Sequence, residues 1–307
     1  MSRRAGVAQR APAACRHPSL RTISWFKDMF DNIALATTGL PSVAAKPASG
    51  RRWSKSGLPW LAPAILLILW EGVTRFGSIS PHILPAPTQV LATAAKLIAN
   101  GQLLPDMGIS LLRAAAGFAI GSSIGFTLGL AVGFSRLAEA VLDRTIQMIR
   151  AIPFLAVLPL VIVWLGIGEA AKIFLVALGV MFPIYINTVL GIRQVDPKLI
   201  ELGRVTGLSN TMLIRRIVLP GALPSILTGV RYALATAWLA LVVAETIAAS
   251  SGIGFLAMDA REFLRTDVIV LAIVIYAAIG VLADAIARAL ERHLLAWHPN
   301  FAPGARS

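Results

Sequence analysis

One cysteine, Cys15, and four histidines are all the soft metal-ligand chemistry in these 307 residues. A single thiol closes no internal disulfide, and His17, His82, His293 and His298 fall in no paired spacing that would hold a metal. Charge is scarce too: 14% of residues are Asp, Glu, Lys or Arg, against about 25% in a soluble globular protein. No Gly-rich loop of the form GxxxxGK followed by Ser or Thr is present, so the chain has no P-loop of its own for ATP. Ser, His and Asp all occur, but no motif sets them together, which leaves a membrane-enzyme reading without a nucleophile to stand on.

What the chain has instead is apolar surface. It is 57% hydrophobic with a mean hydropathy of +0.76, the profile of an all-α polytopic membrane protein in a lipid bilayer. The formal charge of +13 is unevenly placed: through Lys55 there are ten cations against Asp28 and Asp31. A basic tail beside a first apolar span is what the positive-inside rule expects, so the charge gives no reason to invoke nucleic acid. Residues 1–57, rich in Arg, Ala, Pro and Ser without sustained periodicity, are expected to be a disordered basic cytoplasmic tail.

Six apolar runs follow. Residues 58–107 hold the first span, about Leu58 to Phe76, and a Pro-rich extracytoplasmic connection with a short surface helix over Thr88 to Ile98. Residues 108–290 form the main transmembrane core. Its first span, about Ile109 to Phe134, carries Gly117, Gly121, Gly125, Gly129 and Gly133 at strict four-residue spacing. Steps of four turn a helix about 400°, so these glycines make a slowly drifting seam for close helix packing. A cytoplasmic loop then leads to a third span, about Ala151 to Gly166, with Pro153 and Pro159, and a fourth, about Ala170 to Ile192, with Pro183, Tyr185 and Asn187. Prolines free backbone carbonyls, which either line an aqueous path or mark ordinary kinks against neighbours. The fifth span, about Leu223 to Ala248, contains Trp238 and Glu245. A carboxylate in an apolar helix is a functional hypothesis by default, yet so near the outer end it could equally snorkel or cap the following loop. Residues 249–267 return the chain outside. In the sixth span, about Val268 to Ala289, Asp284 sits one turn before Arg288 and reads as an i, i+4 ion pair. Residues 291–307 complete the chain as a cytoplasmic C-terminus.

The long polar interruption is residues 196–220, DPKLIELGRVTGLSNTMLIRRIVLP. Asp196 and Pro197 are expected to start a short helix that Gly207 stops; Ser209 caps a second, which Pro220 ends. Glu201, Leu202, Gly203, Gly207, Ile217, Leu219 and Pro220 resemble the cytoplasmic coupling loop of ABC importer permeases, whose pattern is E-A-A, three residues, G, nine residues, I-x-L-P. The Glu, Gly, Ile, Leu and Pro match at the family's spacing; the two alanines are Leu202 and Gly203 here. From about residue 108 to 300 the chain is similar to permeases for sulfonates, taurine and nitrate, most of all the aliphatic sulfonate branch, in IFLVALGVMFPIYINT, LPGALPSILTGVRYAL, VAETIAASSGIGFLAMDAREFLRTDV and LERHLLAWHPN.

The resemblance implies a type I ABC importer permease fold working as a homodimer in the bacterial inner membrane. It implies two ABC ATPase subunits beneath, which would bind ATP and Mg, a periplasmic substrate-binding protein above, and no cofactor on this chain. Taurine or nitrate import is the alternative within the family. An ion-coupled transporter or channel is the alternative outside it, and would place ionisable residues mid-span, whereas Glu245 and Asp284 lie near span ends.

Six spans put both termini inside. On that topology 22 of the 28 Lys and Arg residues fall on the cytoplasmic side, and Arg75, Lys96, Arg113, Lys172, Arg261 and Arg265 fall outside or at outer interfaces. Reporter fusions after Gly101 and Ser251 are therefore expected to report the outside, and fusions after Asp196 and Trp297 the inside. An outside signal at Asp196 would end the coupling-loop reading.

Overall fold

A computed structural model describes residues 58–77, 80 and 82–297. The expected tail, residues 1–57, and the last ten residues lie outside the described part. Helices account for every regular element among the described residues: α1 Leu58–Phe76, α2 Pro87–Ala99, α3 Leu103–Phe134, α4 Arg136–Arg150, α5 Phe154–Leu165, α6 Glu169–Arg193, α7 Pro197–Val205, α8 Asn210–Leu213, α9 Leu219–Ala248, α10 Ile253–Glu262 and α11 Thr266–Leu294.

The body that begins at Trp60 is organised on α6, which lies between α3 and α9. Its contact with α3 is the glycine seam. A Cβ added at Gly121 would lie 2.3 Å from the Ala177 carbonyl oxygen, and one at Gly125 would lie 2.4 Å from that of Met181. At Gly117, Gly129 and Gly133 the facing groups are Val176, Thr188 and Ile192. Only hydrogen fits at these five positions. Beside the seam, α6 meets α9 through Val176, Val180 and Ile184 packed with Ala233, Ala237, Ala240 and Leu241.

A second cluster closes one end of the bundle. Val90 and Leu97 of α2, Leu103 of α3, Ile253 and Leu256 of α10, and Val268, Leu271 and Ala272 of α11 are buried together. The short amphipathic helix expected over Thr88–Ile98 is thus present as α2 and docks by its apolar side. Its start is held from α1: Glu71 accepts hydrogen bonds from the Thr88 backbone N–H at 3.2 Å and the Thr88 hydroxyl at 2.9 Å. That supplies an acceptor where Pro87 contributes no donor.

Several boundaries differ from expectation, each for a local reason. Four helices are individually long and apolar enough to cross a membrane: α3, α6, α11 and the run Asn210–Ile247 that contains α9. The third expected span is not one straight helix. α5 has twelve residues, about 18 Å, against about 30 Å of hydrocarbon. It joins α4 at a 96° bend, and α4 occupies most of what was expected to be a loop. Pro153, immediately before α5, breaks the chain there because it cannot donate to the preceding turn. α1, with 19 residues, is long enough to span at 1.5 Å per residue, about 29 Å. With the bent pair taken as one span, up to five segments among the described residues have both the length and the composition to cross, against about six expected.

Pro220 does not end the second short helix either. α8 continues through a π-helical turn, Ile214–Val218, directly into α9, and the Leu219 N–H bonds back to the Ile214 carbonyl. A wider turn shifts the hydrogen-bond register by one residue, so the missing N–H of Pro220 falls where the ladder is already displaced. Last, the expected outer return, residues 249–267, contains the ten-residue α10.

Gly121→Ala is expected to cost about 1–3 kcal/mol, because the new methyl meets backbone that cannot yield. Gly108→Ala, on the same helix with nothing within 4 Å of the added Cβ, should be neutral or slightly stabilising. Thermal midpoints of the purified variants in detergent check this, and equal midpoints would remove the seam as a packing constraint.

Candidate coupling hairpin and buried ion network

The polar interruption forms two short helices at an angle set by Gly207. Asp196 caps α7 by accepting the Lys198 N–H at 2.9 Å, with Pro197 at the first helical position. Gly207 stops α7 at φ +78°, a left-handed conformation that favours glycine, while the Leu208 N–H bonds the Gly203 carbonyl at 3.0 Å. Ser209 caps α8 by accepting the Met212 N–H.

The two departures from E-A-A take opposite sides of α7. Leu202 points out and is 59% exposed, in line with exposed Leu199 and Val205. Gly203 points in and is buried, where a Cβ would approach Ile217 Cδ1 at 2.7 Å. Glu201 lies exposed beside them. Leu202, Gly203, Arg216, Ile217, Pro220 and Trp297 line a groove of about 400 Å³ along the hairpin. Leu219 carries the helix onward as the first residue of α9.

At the far end of the bundle lies a polar constellation that sequence reasoning saw only in part. Arg113 of α3 is 2% exposed, and all five of its N–H groups have acceptors. Its Nε and one Nη2 hydrogen fork onto Glu169 at 2.5 and 2.7 Å, and Nη1 donates to Glu245 Oε1 and to the Ser251 carbonyl, both at 2.7 Å. The remaining Nη2 hydrogen reaches the Ser251 hydroxyl at 2.9 Å. Glu169 also accepts from Lys172, itself buried, at 3.0 Å.

Glu245 is 1% exposed and does not snorkel. It accepts from Ser110, Arg113 and the Gly254 N–H, so the loop-capping alternative describes its place. Three consecutive backbone N–H groups at the start of α10 are met in turn: Gly252 by Asp106 Oδ1 at 2.8 Å, Ile253 by Ser110 Oγ at 2.9 Å and Gly254 by Glu245 Oε2 at 3.0 Å. Gly252 has φ +107°, and a Cβ there would strike Glu245 Oε1 at 2.5 Å. Acceptors from α3 and α9 therefore complete the helix start that no local side chain caps.

The other residues expected as candidates for a translocation path are dispersed. Tyr185 is buried and donates to Asp143 Oδ1 of α4 at 2.6 Å. Near Pro183, Asn187 Nδ2 donates to the Pro183 carbonyl at 2.9 Å, and Ser225 of α9 donates to the Asn187 carbonyl at 2.9 Å, so this stretch of α6 is tied to its neighbour. Pro153 precedes α5 and Pro159 lies exposed within it. Trp238 is the exception: it lines a cleft of about 610 Å³ between α9 and α11, with Arg231, Tyr232 and Asp284, and its ring lies edge-on to Tyr276, centroids 5.7 Å apart. Asp284 pairs with Arg288, as expected, and also with Arg231 at 2.8 Å.

The missed residues are Asp106, Ser110, Arg113 and Lys172. Arg113 could have been found by the rule applied to Glu245, since it interrupts an otherwise apolar helix. Counting it as an interfacial cation concealed it.

Arg113→Ala leaves Glu245 and one arm of Glu169 unpaired, at an expected cost of about 3–5 kcal/mol. Arg288→Ala, which removes one of two partners from a half-exposed carboxylate, should cost less than about 1 kcal/mol. Thermal unfolding of the two purified variants separates them, and similar losses would contradict the burial.

Compared with known proteins, residues 121–295 match the family described as binding-protein-dependent transport system inner membrane component. The protein named SsuC, for aliphatic sulfonates transport permease, of Escherichia coli (strain K12) is 53% identical over 82% of this chain and 95% of its own length. Its namesake in Bacillus subtilis (strain 168) is 43% identical over 87% of this chain and 96% of its own. Among solved structures, an amino acid ABC transporter with histidines shares the fold at a TM-score of 0.55, with 18% identity over 65% of this chain and 97% of that one.

Proposed function

Since the chain belongs to the binding-protein-dependent transport system inner membrane components, we propose that it is the transmembrane path of an ATP-driven importer of aliphatic sulfonates. The observation that carries the substrate is the 53% identity to a sulfonate permease across nearly all of that protein's length. A sulfonate is anionic at any cellular pH and cannot cross hydrocarbon unaided at a useful rate. It needs a protein path and an energy source that this chain does not contain.

The energy enters at the hairpin. Exposed Leu199, Leu202 and Val205 on α7, with Met212 on α8, form an apolar stripe beside the groove at Ile217 and Pro220. A separate ABC ATPase subunit, holding ATP and Mg, would seat that stripe, and ATPase closure would drive α7 and α8 as one piece. Because α8 runs into α9 without a break, motion there is delivered along the bundle toward Glu245. Two copies of the chain would enclose the path, with both termini cytoplasmic and the Arg113 end facing the periplasm, where a soluble binding protein delivers substrate.

Deleting the gene should abolish growth on an alkanesulfonate as the only sulfur source and leave growth on sulfate intact. A wild-type copy should restore growth, whereas Gly207→Val, which forces a β-branched residue to φ +78°, should insert to the same level and fail to restore it. Normal growth of the deletion strain on several alkanesulfonates, with failure on taurine or nitrate, would reassign the substrate. Full rescue by Gly207→Val would remove the hairpin as the point of energy input.

A further inference from the structure

At the end of the bundle remote from the hairpin, a groove of about 660 Å³ opens between α2 and the turn from α10 into α11. One wall is Gln89, Thr93 and Lys96; the other is Phe263, Leu264 and Arg265. Between its buried flanks, Ala260 and Val268, the turn rises to Phe263 at 68% and Leu264 at 79% exposure. It is also tied down. The Arg265 N–H bonds the Ala260 carbonyl at 2.8 Å, and across the groove Thr93 donates to Asp267 at 2.7 Å.

Leu264 has φ +54° and is the only non-glycine with positive φ among the described residues. A bulky residue held there costs on the order of 1–3 kcal/mol and persists only where its surroundings impose it. Strain at this turn keeps two large apolar side chains in water, where burying each would be worth about 1.5–3 kcal/mol. Around them stand Lys96, Arg261 and Arg265, none of which has an anionic partner among the described residues. An apolar tip at the centre with unpaired charge at the rim is the anatomy of a protein docking site.

We propose that this groove and turn seat the soluble binding protein, which would present an apolar hollow for Phe263 and Leu264 rimmed by carboxylates for the three cations. The inference rests on the import reading and its orientation, which put this end in the periplasm. The α2 wall carries Gln89, Thr93 and Lys96, polar where a lipid contact would be apolar.

The test uses the complete transporter in lipid nanodiscs, with purified binding protein loaded with an alkanesulfonate, and follows ATPase rate against binding-protein concentration. Phe263→Ser and Arg265→Glu are the first variants. Leu264→Asn is the second kind: it removes the apolar tip while Asn still tolerates the left-handed backbone. Each should raise the half-saturating concentration about tenfold or more without changing the rate in the absence of binding protein. Unchanged half-saturation in all three, with the wild type stimulated, overturns the proposal. A lowered basal rate or poorer insertion at unchanged half-saturation would make the turn a lipid contact and also overturns it. A wild-type complex that sulfonate-loaded binding protein does not stimulate overturns the import reading, and this inference with it.

Discussion

Everything in the bundle is spaced by the contact of α3 with α6, where five glycines of one helix lie against backbone and side-chain atoms of the other with no room for a Cβ. In hydrocarbon there is no hydrophobic drive to bring helices together, because lipid tails are as apolar as leucine side chains. What remains is dispersion at close range and hydrogen bonding. The seam supplies the first: with Gly121 against the Ala177 carbonyl and Gly125 against that of Met181, the two helices lie closer than any residue with a Cβ would allow. α9 then packs on α6 beside the seam through a run of alanines.

Arg113 supplies the second. It emerges from α3 four residues before the seam begins at Gly117, so the close approach that the glycines allow also brings its guanidinium within reach of Glu169 on α6 and Glu245 on α9. A charged group of this size is tolerated out of water only when fully paired, and here no N–H of the guanidinium is spare. Packing and polar satisfaction depend on each other: without the seam the network would not close, and without the network Arg113, Lys172 and Glu245 would be buried unpaired.

Local signals were legible in the sequence and distant ones were not. The glycine period, the caps at Asp196 and Ser209 and the stop at Gly207 need only residues a few positions apart, and each appears in the structure where the pattern puts it. α10 was invisible because its N-terminal acceptors come from Asp106, Ser110 and Glu245 rather than from the loop itself. Similarly, the environment of Arg113 is set by Glu169 and Glu245, 56 and 132 positions away. Pro153 and Pro220 show the limit of reading single breakers. One does interrupt the helix, while the other is absorbed by a π-helical turn whose register shift depends on residues before it.

That π-helical turn has a consequence for which changes the chain can tolerate. It makes Asn210–Ile247 a single rod of 38 residues, about 57 Å long, with Arg215 and Arg216 near one end and Glu245 near the other. Each residue in such a rod adds about 100° of rotation. Substitutions between the ends leave their relative phase untouched, but one inserted or deleted residue would turn Glu245 about a quarter-circle away from Arg113 while the hairpin stayed in place. The length of this stretch is thus fixed by angle rather than by distance, and it can drift in composition far more freely than in residue count.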